Sequence, residues 1–221
     1  MLKTGYLHLS NKQIFSGNLL NWNDQAISGE VVFNTAMAGY VESLTDPSYS
    51  NQILVFTYPL IGNYGVQLKD FESAKIQVRG VIMNQISLHP NHADSSKSLS
   101  EWLSTQKIPI LYNVDTRALT LHLRSKGVVG GIVTDSNSKQ TFEKLEHEFI
   151  SVKKPKVYNP KSKKKIFLVD CGVKENIIKS IVEYDVQVIR VPHNYDYTNE
   201  DYDGVLLSNG PGDPTAYTET I

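Results

Sequence analysis

Hydrophobic and polar residues alternate along much of the first hundred residues, a pattern typical of half-buried β-strands. The runs TGYLHL and QIFSG flank Ser10, Asn11 and Lys12, and this arrangement predicts a β-hairpin. Three later runs are rich in β-branched or aromatic residues and bounded by glycine or proline. They predict further strands at GEVVFN, QILVFTY and KIQVRGVIM.

Helical periodicity and capping residues follow this strand-rich part. SLSEWLSTQ begins with serines suited to cap a helix. DTRALTLHLRSKG begins with Asp115, a favoured N-cap residue, and ends with Lys126 and Gly127, a basic last turn followed by glycine. TFEKLEHEF predicts a third helix. Strands with helices interspersed predict an α+β or β-rich domain over about residues 1–150, long enough to bury its own core.

A basic segment without acidic residues comes next, SVKKPKVYNPKSKKK, residues 151–165. It holds seven of the 22 lysine and arginine residues of the chain, together with two prolines. Proline disfavours helix and like charges repel, so the segment is interpreted as an extended linker. A solvated connector is favoured over a specific anion site because charge runs are usually solvated.

The pattern after the linker changes to that of a parallel α/β sheet, from residue 166 to residue 221. IFLVD, VQVIRVP and GVLLS are short, continuous apolar runs of the kind that form strands buried on both faces. VKENIIKSIVEYD predicts one amphipathic helix, with an apolar stripe formed by Val173, Ile177, Ile178, Ile181 and Val182. One helix covers one face of such a sheet, so we expect the other face and an edge to be bare, and the domain to be incomplete.

Composition and charge are those of an ordinary globular chain, with a formal net charge of −1 that gives no reason to expect nucleic acid or an acidic membrane as partner. The single cysteine excludes an internal disulfide and a CxxC metal site, and fits a reducing compartment such as the cytoplasm. The N-terminus lacks the apolar core of a secretory signal, and no apolar run approaches the length of a membrane span.

The stretch NGPGDP, directly after the predicted strand GVLLS, is the first candidate for chemistry. Ligands of open α/β sheets bind at the carboxyl ends of strands. Gly210 and Gly212 lack a Cβ, so their backbone amides are open to an anion or a developing oxyanion. From these six residues alone, a tight turn leaving the strand is the favoured interpretation. The Walker pattern GxxxxGK[ST] is absent, which disfavours nucleotide binding.

The stretch LTDPSYS is the second candidate, with Thr45, Asp46, Ser48 and Ser50 grouped around Pro47. Their hydroxyl groups and carboxylate can line a polar pocket. Equally, they can satisfy the backbone of their own turn, as aspartate and serine often do. Spacing alone does not decide between the two.

Cysteine and histidine offer weaker candidates. Cys171 follows a predicted strand and precedes a helix, where a thiol pKa can be lowered, but no GxCxG elbow surrounds it, and His193 is the one histidine nearby in sequence. A small buried residue is the favoured interpretation. His89 and His92 straddle a proline without other obvious ligands, so they are interpreted as loop residues and no metal site is predicted.

Several segments together resemble one family, the small subunit of glutamine-dependent carbamoyl phosphate synthetase. They are GEVVFNTAMAGYVESLTDPSYSNQI, TYPLIGNYG, DTRALTLHLRSKG and DGVLLSNGPGDP, and the resemblance runs from about Tyr6 to Pro214. It implies a β/β/α N-terminal domain followed by a Rossmann-like class I glutamine amidotransferase domain. It also implies that the subunit hydrolyses L-glutamine and passes ammonia to a large subunit. The large subunit uses ATP, magnesium and bicarbonate to make carbamoyl phosphate for pyrimidine and arginine synthesis, so no cofactor is expected in this subunit.

By motif match, the resemblance implies that Ser48, Gly210 and Gly212 line the glutamine pocket, with a glycine amide helping to hold the oxyanion. The family's nucleophilic cysteine elbow, histidine and glutamate have no counterparts here, and Cys171 does not match that elbow. No catalytic residue is therefore assigned. We expect a truncated chain with no glutaminase activity alone. The alternative is a non-catalytic docking or regulatory module that binds the large subunit.

Overall fold

The computed structural model describes residues 3–142 and 149–220. The chain divides into two compact units. The first comprises Met1–Thr45 and Asn51–Glu146, and the second comprises Asp46–Ser50 and His147–Ile221. The short segment Asp46–Ser50 is thus part of the second unit although the residues on both sides of it belong to the first. Within the described residues, no helix has the length and apolar character that crossing a membrane requires.

The described part of the first unit is built around a closed sheet, in which the strand order is β1-β2-β8-β6-β4-β3-β9 and β9 returns to β1. Its strands are β1 (Lys3–Leu9), β2 (Ile14–Leu20), β3 (Ile27–Asn34), β4 (Ile53–Phe56), β6 (Gly80–Ile82), β8 (Ile110–Tyr112) and β9 (Gly130–Thr134). A separate parallel pair is formed by β5 (Leu60–Ile61) and β7 (Gln85–Ile86). The predicted hairpin is confirmed as β1 and β2, which pair antiparallel around a turn in which Lys12 has φ of 72°.

The strands bury one apolar cluster inside this closed sheet. Side chains that alternate along β1, β3 and β4 point inward, as their period of two requires. Helix α3 (Thr116–Lys126) and the loops beside it complete the cluster. The buried residues of the strands, the helix and the loops together are Leu7, Leu9, Leu19, Val31, Ile53, Val55, Ile82, Leu111, Val114, Leu119, Leu123, Val129 and Val133.

Three helices are described in the first unit: α1 (Tyr40–Thr45), α2 (Leu99–Thr105) and α3 (Thr116–Lys126). The two predicted ones are confirmed with their caps. The Ser98 side chain accepts a hydrogen bond from the Glu101 backbone N–H, and the Glu101 carboxylate accepts one from the Ser98 backbone N–H, which together form a capping box. Asp115 caps α3, which ends at Gly127 with φ of 72°. The helix predicted at TFEKLEHEF falls largely on residues 143–148, outside the described residues.

The strand predicted at KIQVRGVIM is shorter than expected, because only Gly80–Ile82 joins the sheet. The residues before it are fixed by other bonds. The Ile76 backbone N–H donates to the Gln106 side chain, and the Gln77 backbone N–H donates to the Leu44 carbonyl. Ile76 is buried, so its apolar character reflects packing rather than sheet pairing.

The second unit contains a sheet with the strand order β10-β12-β11-β13. Its strands are β10 (Lys156–Tyr158), β11 (Lys164–Asp170), β12 (Val186–Pro192) and β13 (Gly204–Leu207). β11 is parallel to both β12 and β13, and helix α4 (Glu175–Val182) connects β11 to β12, which confirms the predicted parallel α/β arrangement. The predicted stripe of α4 packs on one face with Leu168 and Val188.

The basic segment 151–165 contains a strand that the sequence analysis did not predict. β10 pairs antiparallel with β12, so part of this segment is an edge of the sheet rather than a free connector. Val157 and Tyr158 have high strand propensity, but lysines and prolines surround them. A three-residue strand with exposed lysine is typical of a sheet edge.

The second face of the sheet is covered, so the prediction that it is bare is wrong. Phe167 and Val191 are fully buried and Val169 is nearly so, beneath aromatic residues of the loops that follow β12 and β13. The covering side chains include Tyr195, Tyr197 and Tyr217. These loop residues have no helical periodicity, so their role was not visible in the sequence. The predicted bare edge is confirmed at β13, which pairs with β11 alone among the described strands.

Candidate functional site

Three segments of the second unit meet at Gly172: the turn 46–50, the loop 170–174 after β11, and the loop 208–212 after β13. A Cβ added at Gly172 would lie 3.2 Å from Pro211 Cδ, 3.3 Å from Gly210 Cα and 3.4 Å from Pro47 Cβ. Its φ of 118° is a conformation that residues other than glycine rarely adopt. The absence of a side chain therefore allows the three segments to approach one another.

The loop after β11 is fixed by Asp170, whose side chain is fully buried. Its Oδ1 accepts hydrogen bonds from the backbone N–H groups of Gly172 (3.0 Å) and Val173 (2.9 Å). Its Oδ2 accepts from the Val152 backbone N–H at 2.8 Å and from the Arg190 guanidinium at 2.9 and 2.7 Å. A buried carboxylate bonded in this way holds the loop in one conformation.

The turn 46–50 is fixed by Asp46, whose side chain is 6% exposed. Its Oδ1 accepts a hydrogen bond from the Ser48 backbone N–H at 2.9 Å, which caps the short 3₁₀ turn Pro47–Tyr49. Its Oδ2 forms an ion pair with Lys174 Nζ at 2.8 Å. The backbone position of Ser48 is thereby set by a charged pair that links the turn to the start of α4.

The Ser48 side chain is bonded to the glycine-rich loop. Asn209 Nδ2 donates to Ser48 Oγ at 2.6 Å, across 161 positions of sequence. Asn209 itself is held through its neighbour Ser208, whose Oγ donates to the Asn209 carbonyl at 2.7 Å and accepts from the Cys171 backbone N–H at 2.9 Å. The structure thus brings together Ser48 and the loop that carries Gly210 and Gly212.

The two glycines of this loop are required for different reasons. A Cβ at Gly210 would lie 2.1 Å from the Cys171 carbonyl oxygen, so the loop backbone packs against the loop after β11. Gly212 has φ of 71°, the left-handed conformation that glycine adopts without strain. The loop is a tight, defined turn, and this shape presents its backbone amides in fixed directions.

The Thr45 side chain of LTDPSYS satisfies nearby backbone, and Ser50 closes the turn through its own backbone. Thr45, in the first unit, donates from Oγ1 to the Val41 carbonyl at 2.9 Å and accepts from the Glu72 backbone N–H. The Ser50 backbone N–H donates to the Pro47 carbonyl at 3.0 Å. The interpretation that these side chains satisfy nearby backbone is confirmed for Thr45 and Asp46, and the lining of a polar pocket stays a prediction.

Cys171 is buried at the back of the site. Its side chain lies in the apolar cluster beneath Tyr217, and the Tyr217 hydroxyl donates to the Cys171 carbonyl at 2.9 Å. Burial raises the pKa of the Cys171 thiol. The His193 ring stacks on Phe149 with ring centroids 4.8 Å apart, and it forms no hydrogen bond with the thiol within the described residues. This environment is that of a protonated, packed cysteine.

We expect Cys171 to react slowly with iodoacetamide at pH 7.5, at least roughly tenfold slower than in the same chain unfolded in urea. A raised pKa leaves little thiolate near neutral pH. The labelling rate should therefore reach its plateau at a higher pH than the labelling rate of an exposed cysteine. Mass spectrometry of the labelled chain measures this rate. Labelling as fast as a free thiol, and slowed by glutamine, would instead identify Cys171 as a reactive nucleophile.

The histidines of HPNH belong to a loop of the first unit. His92 Nδ1 contacts the Gln67 side-chain amide at 3.2 Å and accepts from the Asp94 backbone N–H at 3.1 Å, while the His89 carbonyl accepts from the Ser87 hydroxyl. Over residues 3–142 and 149–220, no three histidine, cysteine or acidic side chains group as metal ligands would.

Sequence reasoning missed four residues that build the site: Asp170, Gly172, Lys174 and Asn209. Asp170 and Gly172 flank Cys171, the residue of this stretch to which the sequence draws attention. An aspartate that ends an apolar strand and is followed by glycine is a recognisable signal of a carboxylate that bonds the next turn. Lys174 and Asn209 gave no local signal, because their partners are distant in sequence.

Two family profiles match the chain. The carbamoyl-phosphate synthase small chain, CPSase domain, matches residues 7–133, and the class-I glutamine amidotransferase matches residues 167–221. The first match covers more than half of the chain. The protein therefore belongs to the carbamoyl-phosphate synthase small-chain family, as its resemblance predicted.

Individual relatives agree with this assignment. The chain is 42% identical to the carbamoyl phosphate synthase arginine-specific small chain of Neurospora crassa, over 94% of this chain and 50% of the relative. It is 38% identical to the carbamoyl phosphate synthase small chain of Pyrococcus furiosus, over 98% of this chain and 65% of the relative. It is 42% identical to the multifunctional protein CAD of Squalus acanthias, over 97% of this chain and 10% of the relative. The chain spans between a tenth and about two thirds of the length of these relatives.

Proposed function

We propose that this chain is part of a glutaminase subunit that binds L-glutamine and supplies ammonia to a large synthetase subunit, which makes carbamoyl phosphate from bicarbonate and ATP. Family membership supports the reaction class. The observation that carries the proposal is the bond between Ser48 and Asn209, because it joins the serine of the turn 46–50 to the glycine loop at the carboxyl end of a parallel strand.

The chemistry of these groups suits recognition of an amino-acid amide. Hydrolysis of the glutamine side chain passes through a tetrahedral oxyanion, which backbone N–H groups in a fixed turn stabilise. The loop with Gly210 and Gly212 supplies such donors, and Ser48 supplies a hydroxyl beside them. We assign these three residues to glutamine binding.

No catalytic nucleophile is assigned within this chain. Cys171 is its one thiol, and it is buried with a raised pKa, whereas a nucleophilic cysteine needs an accessible thiolate and a base within hydrogen-bond reach. We therefore propose that this chain by itself binds glutamine without hydrolysing it at an enzymatic rate.

The proposal places the remaining components outside this chain. ATP and magnesium are assigned to the large subunit, since the sequence has no Walker pattern. The partner is that large subunit, as the family implies, rather than nucleic acid or a membrane. A cytoplasmic location is consistent with the single cysteine, which excludes an internal disulfide.

The direct test is binding of L-glutamine to this chain, measured by isothermal titration calorimetry, for the wild type and for Ser48→Ala. Loss of one hydrogen bond to a charged or polarised ligand oxygen costs about 1.5 kcal/mol, so the affinity should fall roughly tenfold. Ser180→Ala is the matched control, because Ser180 is an exposed residue of α4 in the same unit. Its affinity should equal that of the wild type.

Two outcomes would contradict the proposal. Absence of glutamine binding by the wild-type chain would overturn its role as a glutamine site. If that chain nevertheless co-eluted with its large subunit in gel filtration, the docking-module alternative would be supported instead. Equal affinities for the wild type and Ser48→Ala would remove Ser48 from the site.

A further inference from the structure

The Ser48 side chain is held from two directions within the second unit. The Asp46 carboxylate fixes its backbone, and Lys174 fixes that carboxylate through the 2.8 Å ion pair. The Asn209 amide then meets its hydroxyl oxygen at 2.6 Å. Asp46 alone already caps the local turn. The ion pair with Lys174 and the bond from Asn209 are therefore additional to what the turn itself requires.

The direction of the bond between Asn209 and Ser48 determines what the hydroxyl can do next. An amide nitrogen only donates, so Ser48 Oγ is the acceptor in this bond. The hydroxyl proton remains available, and it is not bonded to any acceptor in the described part of the chain. Ser48 is therefore set to donate to an acceptor that is not part of this structure.

The opposite orientation of the amide is disfavoured by its surroundings. Asn209 Oδ1 is buried and has no hydrogen-bond partner within the described residues. Turning the amide over would place the NH2 group, with two donors, in that unpartnered position, and Oδ1 would then accept the Ser48 proton. The glutamine site would lose its hydroxyl donor in that arrangement.

We propose that Asn209 is a positioning residue of the glutamine site, which directs the Ser48 hydroxyl proton toward an acceptor oxygen of bound L-glutamine. This inference rests on the proposed function. Asn209 acts through Ser48 and needs no contact with the ligand. The bonds that hold its backbone, through Ser208 to the loop after β11, give its side chain a fixed starting point.

The sharpest test compares Asn209→Asp with Asn209→Ala by calorimetric titration with L-glutamine. An aspartate has nearly the same shape but only accepts, so it should take the Ser48 proton and lower the affinity roughly tenfold, as Ser48→Ala does. Alanine frees the hydroxyl to rotate, so its effect should be smaller, about two- to fivefold. Asn199→Asp, an exposed change in the same unit, is the matched charge control and should leave affinity unchanged.

A double-mutant cycle separates positioning from a general role in loop structure. If Asn209 acts through Ser48, then Asn209→Ala should have no further effect on affinity in the Ser48→Ala background. A residue that merely shapes the loop would lower affinity equally in both backgrounds, and that additive result would overturn the inference.

A second readout does not depend on glutamine. In ¹H–¹⁵N spectra of the chain, Ser48→Ala should shift the Asn209 side-chain NH2 resonances and speed their exchange with water, because the bond at 2.6 Å is lost. Unchanged resonances would overturn the inference, whereas the proposed function is decided separately by glutamine binding to the wild-type chain. Failure of the wild-type chain to bind glutamine would overturn the proposed function, and the inference with it.

Discussion

Asp170→Ala is expected to destabilise the second unit by about 3–5 kcal/mol, the cost of leaving a buried charged partner uncompensated. The Arg190 guanidinium would lose its carboxylate, and its side chain is only 16% exposed. The backbone N–H groups of Gly172 and Val173 would lose their acceptor as well. A loss of this size is comparable with the whole stability of a unit this small.

Hydrogen exchange measured by mass spectrometry on peptides from β11 and β12 gives the readout. Tryptophan fluorescence would not, because Trp22 and Trp102 both lie in the first unit. Exchange of these amides should quicken roughly a hundredfold or more. The exchange rates in Asp170→Asn should lie between those of the wild type and those of Asp170→Ala. The asparagine Oδ1 still accepts hydrogen bonds, whereas its NH2 group faces donors. Asp201→Ala removes an exposed carboxylate of the same unit and should leave the exchange rates of β11 and β12 unchanged. Equal exchange in Asp170→Ala and Asp201→Ala would contradict the role given to Asp170.

Gly210→Ala is expected to disrupt the loop after β13 and abolish measurable glutamine binding. The new Cβ would lie 2.1 Å from the Cys171 carbonyl oxygen and 3.0 Å from its carbon, and backbone atoms cannot rotate away as a side chain can. The loop must shift, at a cost of about 1–3 kcal/mol or more. Because Asn209 precedes Gly210, the shift should also break the bond to Ser48.

Gly204→Ala is the matched control, since a Cβ at Gly204 meets no atom within 4 Å. It should retain both wild-type glutamine affinity and the hydrogen exchange of β11 and β12. The measurements are calorimetric titration and exchange of the peptide that covers residues 204–212. Unchanged binding in Gly210→Ala would show that the loop tolerates the displacement and that its close packing is not needed for the site.

Sequence patterns predicted those elements whose signals are local. The hairpin of β1 and β2, the Ser98 and Asp115 caps and the apolar stripe of α4 all follow from residues within one turn or one strand pair. The order of the closed sheet was not predictable in this way. β2 pairs with β8, and the two strands are separated by five others in the chain.

The aromatic cover of the second sheet face shows the same limit. Tyr195 and Tyr197 lie in a loop with no periodicity, and they contribute because Phe167 needs a cover that α4 cannot provide on that face. The short strand β10 was hidden by its lysines, which are acceptable at a sheet edge. In each case tertiary packing decided the structure where the local signal was weak.

The residues of the candidate site likewise differ in whether a local sequence signal could identify them. Gly210 and Gly212 were predictable, because a glycine-rich loop after a buried strand indicates an unusual backbone. Asn209 stands one residue earlier and carries no such signal. Its side chain bonds the Ser48 hydroxyl, a partner that local reasoning cannot supply.

The bond between Ser48 and Asn209 also sets an order of events during synthesis. The two residues are 161 positions apart, so at about 5–20 residues per second the ribosome needs roughly 8–30 s to travel from one to the other. Throughout that interval the turn 46–50 exists without the loop that completes it. On the proposed function, glutamine has no assembled site on the nascent chain in that period, and it stabilises the protein only once the loop after β13 has emerged.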